Sequence, residues 1–180
     1  SPDGAWVVAG SDEGPARVWS AGSGDESSCM THDNAVTSVA FSPDSAWVVS
    51  ASGDGTARVW DAATGQERAR MTHEDWVGAV AFSPDGASVL SGSSNGIARV
   101  WDAATGQERA RMTHNNWVTA VAFSPDSASV VSGSYDGTAR VWNAVTGQVR
   151  ARMTHSRYVN SVAFSSDGAW VVSGGEDDTA

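Results

Sequence analysis

The chain has no lysine, one cysteine and no long apolar run, and each absence removes a class of function. Its eleven cationic side chains are all arginine and face 21 aspartates and glutamates, giving a net charge of −10. Such a surface offers no electrostatic footprint for a phosphate backbone or an anionic bilayer, so neither nucleic acid nor membrane is an expected partner. Cys29 alone cannot close an intramolecular disulfide, which points to a reducing, cytoplasmic setting. No stretch reaches the roughly 20 apolar residues of a spanning helix, or the shorter core of a secretory signal.

What the chain has is a period of 41 residues. Phe41, Phe82, Phe123 and Phe164 each open a Phe-Ser-Pro-Asp or Phe-Ser-Ser-Asp element, and His32, His73, His114 and His155 recur in step. So do Met30, Met71, Met112 and Met153, and Trp19, Trp60, Trp101 and Trp142. A repeat of this length specifies one modular array whose units bury their faces on their neighbours. The array divides into a partial unit at 1–31, whole units at 32–72, 73–113 and 114–154, and a partial unit at 155–180. The chain opens inside the turn Ser1-Pro2-Asp3-Gly4 and stops at Asp178-Thr179-Ala180, where other units continue into Arg-Val-Trp, so both ends read as cuts through an array.

Within a unit, short runs of Val, Ala, Phe and Trp separated by turn residues predict strands and no helix. Val36 to Phe41, Trp47 to Ser52, Thr56 to Trp60 and Glu67 to Met71 are the four strands of one unit. Pro43 presets the turn after the first, Gly53-Asp54-Gly55 turns the second into the third, and Gly65 lies in the hairpin before the fourth. Arg68 and Arg70 suit the fourth strand to an outer edge, where charge discourages pairing with another chain. A radial array of four-stranded antiparallel sheets is an all-β fold, the β-propeller.

Thr31-His32, Ser42-Pro43-Asp44, Ser52-Gly53-Asp54-Gly55 and Val59-Trp60-Asp61 together resemble the signatures of WD-repeat proteins, and the resemblance spans the chain. Thr31 replaces the usual glycine before histidine, Asn143 stands where Asp61 and Asp102 stand, and the first repeat carries Trp19-Ser20. The resemblance implies a hydrogen-bonded tetrad, placed at His32, Ser52, Asp54 and Trp60, at His73, Ser93, Asn95 and Trp101, and at His114, Ser134, Asp136 and Trp142. Ser, His and Asp also suggest a nucleophilic triad, but a catalytic site is needed once, whereas this set recurs in every unit with Trp as fourth member. Asn95, a neutral amide, cannot stabilise an imidazolium as a carboxylate does. Equivalent histidines in stacked sheets lie about 10 Å apart, too far to share a metal, so no metal and no cofactor are expected. Asp12-Glu13 and Asp177-Asp178 lack the ligand spacing of a calcium loop and read as solvated turns.

The repeats differ in three clusters. Asp33-Asn34-Ala35, Glu74-Asp75-Trp76, Asn115-Asn116-Trp117 and Ser156-Arg157-Tyr158 follow the histidines; Thr37, Gly78, Thr119 and Asn160 form the second cluster; Gly53, Ser94, Tyr135 and Glu176 form the third. By the resemblance these loops open on one face, beside the mouth of a central channel. Trp76, Trp117, Tyr135 and Tyr158 are the expected anchors for a protein or peptide partner, with Asp33, Asn34, Glu74, Asp75, Asn115, Asn116 and Arg157 beside them. The expected function is a non-catalytic binding scaffold. Tyr158 to Phe164 is expected to pair with Trp6 to Ser11 of a second copy, closing a homodimeric ring of about eight blades. The alternatives are a propeller-based enzyme or small-ligand receptor at the channel mouth, and an amplified or engineered fragment whose only property is assembly.

Overall fold

The computed structural model describes residues 1–177, so the chain end at Asp178-Thr179-Ala180, and with it the second member of the Asp177-Asp178 pair, lies outside the described residues. Among the described residues all regular structure is strand, paired antiparallel in sequence order. The first sheet holds β1 (Trp6–Gly10), β2 (Pro15–Ser20) and β3 (Glu26–Thr31). The second runs β4 (Val36–Phe41), β5 (Trp47–Ser52), β6 (Thr56–Asp61), β7 (Glu67–Thr72). The third runs β8 (Val77–Phe82), β9 (Ser88–Ser93), β10 (Ile97–Asp102), β11 (Glu108–Thr113), and the fourth β12 (Val118–Phe123), β13 (Ser129–Ser134), β14 (Thr138–Asn143), β15 (Val149–Thr154). A fifth sheet pairs β16 (Val159–Phe164) with β17 (Val171–Gly175). Each sheet is a meander that stacks on the next, and the architecture is that of successive β-propeller blades.

Strand alternation explains how one sheet serves two interfaces. On β5, Val48 packs towards the first blade with Val18 and Met30, whereas Val49 packs towards the third with Val77 and Val89. Val89 and Leu90 on β9 divide in the same way, and each of these side chains is fully buried on its own side. Successive side chains of a strand point to opposite faces, so the apolar doublets in the sequence mark strands covered on both sides. The repeated tryptophan bridges blades: Trp60 joins the cluster containing Met30, Trp101 that containing Met71, and Trp142 that containing Met112. Blade contact is close at β9, where a Cβ on Gly92 would meet Val118 Cγ1 at 2.5 Å. The fourth strands are half-exposed edges, with Arg70 bound to Glu67 at 2.8 Å and Arg111 to Glu108 at 3.1 Å.

The ladder between the first and second strands slips once in every blade where both are described, a β-bulge between Val36 and Ser38, Val77 and Ala79, Val118 and Ala120, and Val159 and Ser161. The residues passed over are Thr37, Gly78, Thr119 and Asn160, the second variable cluster. A bulged residue leaves the ladder and re-aims its side chain, so its identity is free of the pairing constraint.

β16 is already hydrogen-bonded along β17 of its own chain, from Val159↔Gly175 to Phe164↔Val171. The expected exchange of Tyr158 to Phe164 onto Trp6 to Ser11 of another copy is therefore corrected. A strand next to β16 on that side would have to displace β17.

Candidate functional site

The recurring polar network is built around a buried serine. Trp60 Nε1–H donates to Ser50 Oγ at 2.8 Å, and the hydroxyl lies 2.6 Å from His32 Nε2. The Asp54 carboxylate can only accept, so the imidazole proton sits on Nδ1 and is donated to Oδ2 at 2.9 Å, leaving Nε2 to accept from the Ser50 hydroxyl. The fourth blade repeats this with Trp142, Ser132, His114 and Asp136 at 2.7, 2.7 and 3.2 Å. The fifth shows His155 bound to Ser173 at 2.8 Å and to Asp177 at 3.0 Å, so Asp177 is a buried carboxylate of the network and the reading of it as a solvated turn residue is corrected.

The serine assignment from sequence is thereby corrected. Ser52, Ser93 and Ser134 do not join the tetrads; their hydroxyls donate to the carbonyls of Asn34, Asp75 and Asn116 at 3.0, 3.3 and 2.9 Å. Ser50 and Ser52 share a face of β5, but Ser52 lies two residues, about 7 Å, further along the strand from the residue opposite Trp60. Its place is in the turn.

Sequence reasoning also missed an arginine. Arg58 is buried, its Nη2 donating to Asp54 Oδ2 at 2.8 Å, its Nε to Thr56 Oγ1 at 2.9 Å and its Nη1 to the Thr31 carbonyl at 3.2 Å. Arg140 makes the same three contacts to Asp136, Thr138 and Thr113 at 2.9, 3.0 and 3.0 Å. A charged residue recurring inside an apolar strand was the available signal, because a buried guanidinium requires partners. The carboxylate also accepts the backbone N–H of Asp33 at 3.2 Å, or of Asn115 at 3.0 Å. Burial opposes the charge on Asp136, yet the bonds from Thr138, Asn115 and His114 outweigh it and hold the carboxyl at about 2. Burial lowers His114 to about 4 against the raising influence of Asp136.

The third blade departs from this pattern. Asn95 is exposed, its Oδ1 accepting the Ile97 N–H at 3.2 Å, and it does not pair with His73 as expected. His73 keeps Ser91 at 2.6 Å, and Ser91 keeps Trp101 at 2.7 Å, but His73 Nδ1 is buried without a partner. Ile97 stands where Thr56 and Thr138 stand, so Arg99 Nε is buried without an acceptor too. With no carboxylate to oppose it, burial, together with the charges of Arg99 and Arg111, lowers His73 to about 3.

On the loop face the variable residues converge. A cavity of about 240 Å³ is lined by Trp76 and Trp117 from the first cluster, Thr37, Gly78, Thr119 and Asn160 from the second, Ser94 and Tyr135 from the third, and Val118. The aromatic rings are one-third to one-half exposed, Trp76 most so at 53%. Trp117 stacks on Tyr135 with centroids 5.6 Å apart, and Tyr135 on Tyr158 at 4.4 Å. Of the residues expected at the partner face, only Trp76, Trp117 and Tyr135 line this cavity, with Tyr158 joined through the stack. Asp75 and Asn116 cap the N–H of the next tryptophan at 2.8 and 2.9 Å, and Asn34 caps Ala35. Asp33, Glu74, Asn115 and Arg157 are exposed and do not line it. Among the described residues no group of three or more His, Cys, Asp or Glu is placed to hold a metal.

The model of the WD domain, G-beta repeat, matches residues 25–61, 65–102, 106–143 and 147–180. No curated protein matches the chain. Among solved structures, the chain is similar to the computationally designed Ika8 protein, with 38% identity and a TM-score of 0.87 over 97% of this chain and 54% of that one. The chain thus spans about half the length of that protein. Tetrads of His, Ser, Asp and Trp on stacked four-stranded blades, and four matched repeats over most of the sequence, place the chain in the WD-repeat family.

Proposed function

We propose that the chain is a non-catalytic platform that binds a protein or peptide on its loop face, with Trp76, Trp117 and Tyr135 as anchors. One observation carries the reading. Eight of the nine residues lining the loop-face cavity are positions that vary between repeats, while the frame around them is held constant. Variation confined to one concave, partly aromatic surface is the pattern of a recognition site, where a few buried rings supply most of the affinity. The invariant network, by contrast, satisfies buried polar groups once per blade. Peptides selected from a random library on the intact chain test the reading. Their affinity should fall at least about 30-fold on Trp76→Ala/Trp117→Ala, the loss of about 2 kcal/mol expected of a hot spot. Binding that survives this change and follows Arg68→Ala/Arg70→Ala instead would move the site to the outer edge.

Lateral self-association completes the proposal. Val7 is 51% exposed where its counterparts Val48, Val89 and Val130 are buried against the preceding blade, and Val172 is 54% exposed where Val49, Leu90 and Val131 are buried against the following one. These are the two sides of one repeated interface, so a second copy offers each face its natural complement, head to tail, in a ring of about eight blades. Val172→Arg should yield monomers by sedimentation. A monomeric wild-type chain at micromolar concentration removes this part of the proposal and leaves the loop face untouched.

A further inference from the structure

In the second and fourth blades five donors converge on one carboxylate: an imidazole Nδ1–H, a guanidinium Nη2, a backbone N–H, and the N–H and hydroxyl of a threonine. In the third blade the imidazole, the guanidinium and the Glu74 N–H remain, Ile97 has no hydroxyl and gives its N–H to Asn95 Oδ1, and the chain supplies no carboxylate. Trp101 Nε1–H donates to Ser91 Oγ, which meets His73 Nε2 at 2.6 Å, and with no carboxylate to fix the tautomer His73 Nδ1 is the ring nitrogen free to donate to an incoming anion. His73 and Arg99 are 4% and 5% exposed, and the Nδ1 of one and the Nε–H of the other have no hydrogen-bond partner. A buried imidazole nitrogen without a partner beside a permanent cation, at the place where two other blades hold a carboxylate, fits an anionic oxygen ligand.

The nearest carboxylates do not serve. Glu74 is 3.9 Å from Arg99 Nη2 and its side chain is 79% exposed, while Glu108 is 3.4 Å from Nη1, whose bond goes to the Thr72 carbonyl at 3.0 Å. Neither is hydrogen-bonded to His73 Nδ1, and Arg99 Nη2, the atom that holds the carboxylate in the other two blades, finds no hydrogen-bond acceptor among the described residues, Glu74 standing 3.9 Å away. The exposed turn residue Asn95 stands over the pair in place of Asp54 or Asp136.

We propose that the third blade is a carboxylate-binding site, in which His73, Arg99 and the backbone N–H of Glu74 receive in trans the carboxylate that Asp54 and Asp136 supply in cis elsewhere. The ligand is a small free carboxylate or the aspartate side chain of a bound peptide, admitted by opening of the Ser94-Asn95 turn. The site stands on the blade's internal network and does not depend on the aromatic cavity.

The probes are formate, and N-acetyl-aspartate methylamide with the asparagine analogue as its control. Each is titrated at pH 7 and constant ionic strength against chloride, following the amide resonance of Glu74, the ring nitrogens of His73 and the thermal midpoint. In the wild-type chain, saturable shifts at Glu74 and His73 and a rising midpoint are expected. In Asn95→Asp, the starting midpoint should be higher and binding at least tenfold weaker. Tighter binding of formate assigns the site to free carboxylates, and tighter binding of the aspartate compound to a peptide side chain. If Glu74 and His73 do not shift with either probe, or Asn95→Asp responds as the wild type does, the proposal fails. The resonance shifts are read on the wild-type chain, so the test holds even if the variant folds poorly.

Discussion

The second and third blades share a fold and much of their sequence, yet they differ in how their buried charge is settled. In the second, Asp54 ties His32, Arg58 and the Asp33 N–H into one closed set. In the third, Asn95 and Ile97 replace Asp54 and Thr56, and His73 Nδ1, Ser94 Oγ and Arg99 Nε are buried without partners. The backbone is unaffected: β10 pairs with β9 in the register in which β6 pairs with β5. Apolar packing and the Trp–Ser–His end of the network are therefore enough to set the blade, and the carboxylate end adjusts its stability and chemistry. This is the division expected when hydrophobic burial drives folding and buried polar groups must then be satisfied locally.

The largest expected effect breaks what the blades have in common. Trp101→Ala removes a buried indole from the cluster with Met71 and Val59 and should cost about 3–5 kcal/mol in denaturant unfolding, whatever the state of the carboxylate. An unchanged midpoint would contradict the burial.

Acid comes next. His73 and His114 titrate near 3 and 4 in the folded chain, well below the unfolded value of about 6.5. On lowering the pH the unfolded state takes up these protons first, so stability is unaffected above about 6.5. It falls progressively below that, down to about 4 for His114 and about 3 for His73. The linkage amounts to about 2 kcal/mol per histidine between pH 7 and pH 5. The depressed aspartates add their own loss only below about pH 4, as the pH approaches the value near 2 held by Asp136. Flat stability between pH 7 and 5 would place these imidazoles in solvent.

A finer comparison sets His114→Ala against His73→Ala. The first strands Asp136 and Ser132 together and should cost about 1–3 kcal/mol; the second strands only Ser91 and also removes an unpartnered buried nitrogen, so it should cost about 1 kcal/mol less. Equal losses would mean that His73 has a carboxylate equivalent after all.

The smallest effect concerns the bulge. Thr37 and Thr119 donate to the carbonyls of Val77 and Val159 on the next blade, a bond that Gly78 cannot make. A Cβ at Gly78 would lie 3.7 Å from the Val118 carbonyl, ordinary contact, so Gly78→Thr should add that bond and gain about 0.5–1 kcal/mol. A loss of stability would show that the bulge needs glycine.

Much of this was legible in the sequence because it is written four times over. The paired valines, the turn glycines and the arginines of the outer strand each name their place by period alone, and the strands lie where the alternation puts them. The serine of the network was not legible in the same way. Ser50 and Ser52 share one face of β5, and only the register of β5 against β6 separates the residue near Trp60 from the one in the turn. Asn95 was visible as a departure, but its consequence depends on Ile97 and Arg99 of β10, which only the folded blade brings against His73. The cavity was half legible: variability marked its residues, whereas the bulge that gathers Thr37, Gly78, Thr119 and Asn160 at its wall is a matter of ladder geometry.

The most direct test exchanges the two states of the network. Unfolding free energies of Asp136→Asn and Asn95→Asp, measured at pH 7 without added carboxylate, should move in opposite directions. The first should fall by about 3 kcal/mol as a buried charge loses its partner, and the second should rise as the introduced carboxylate reaches His73 and Arg99. Two changes of the same sign, or none in either, would contradict the account.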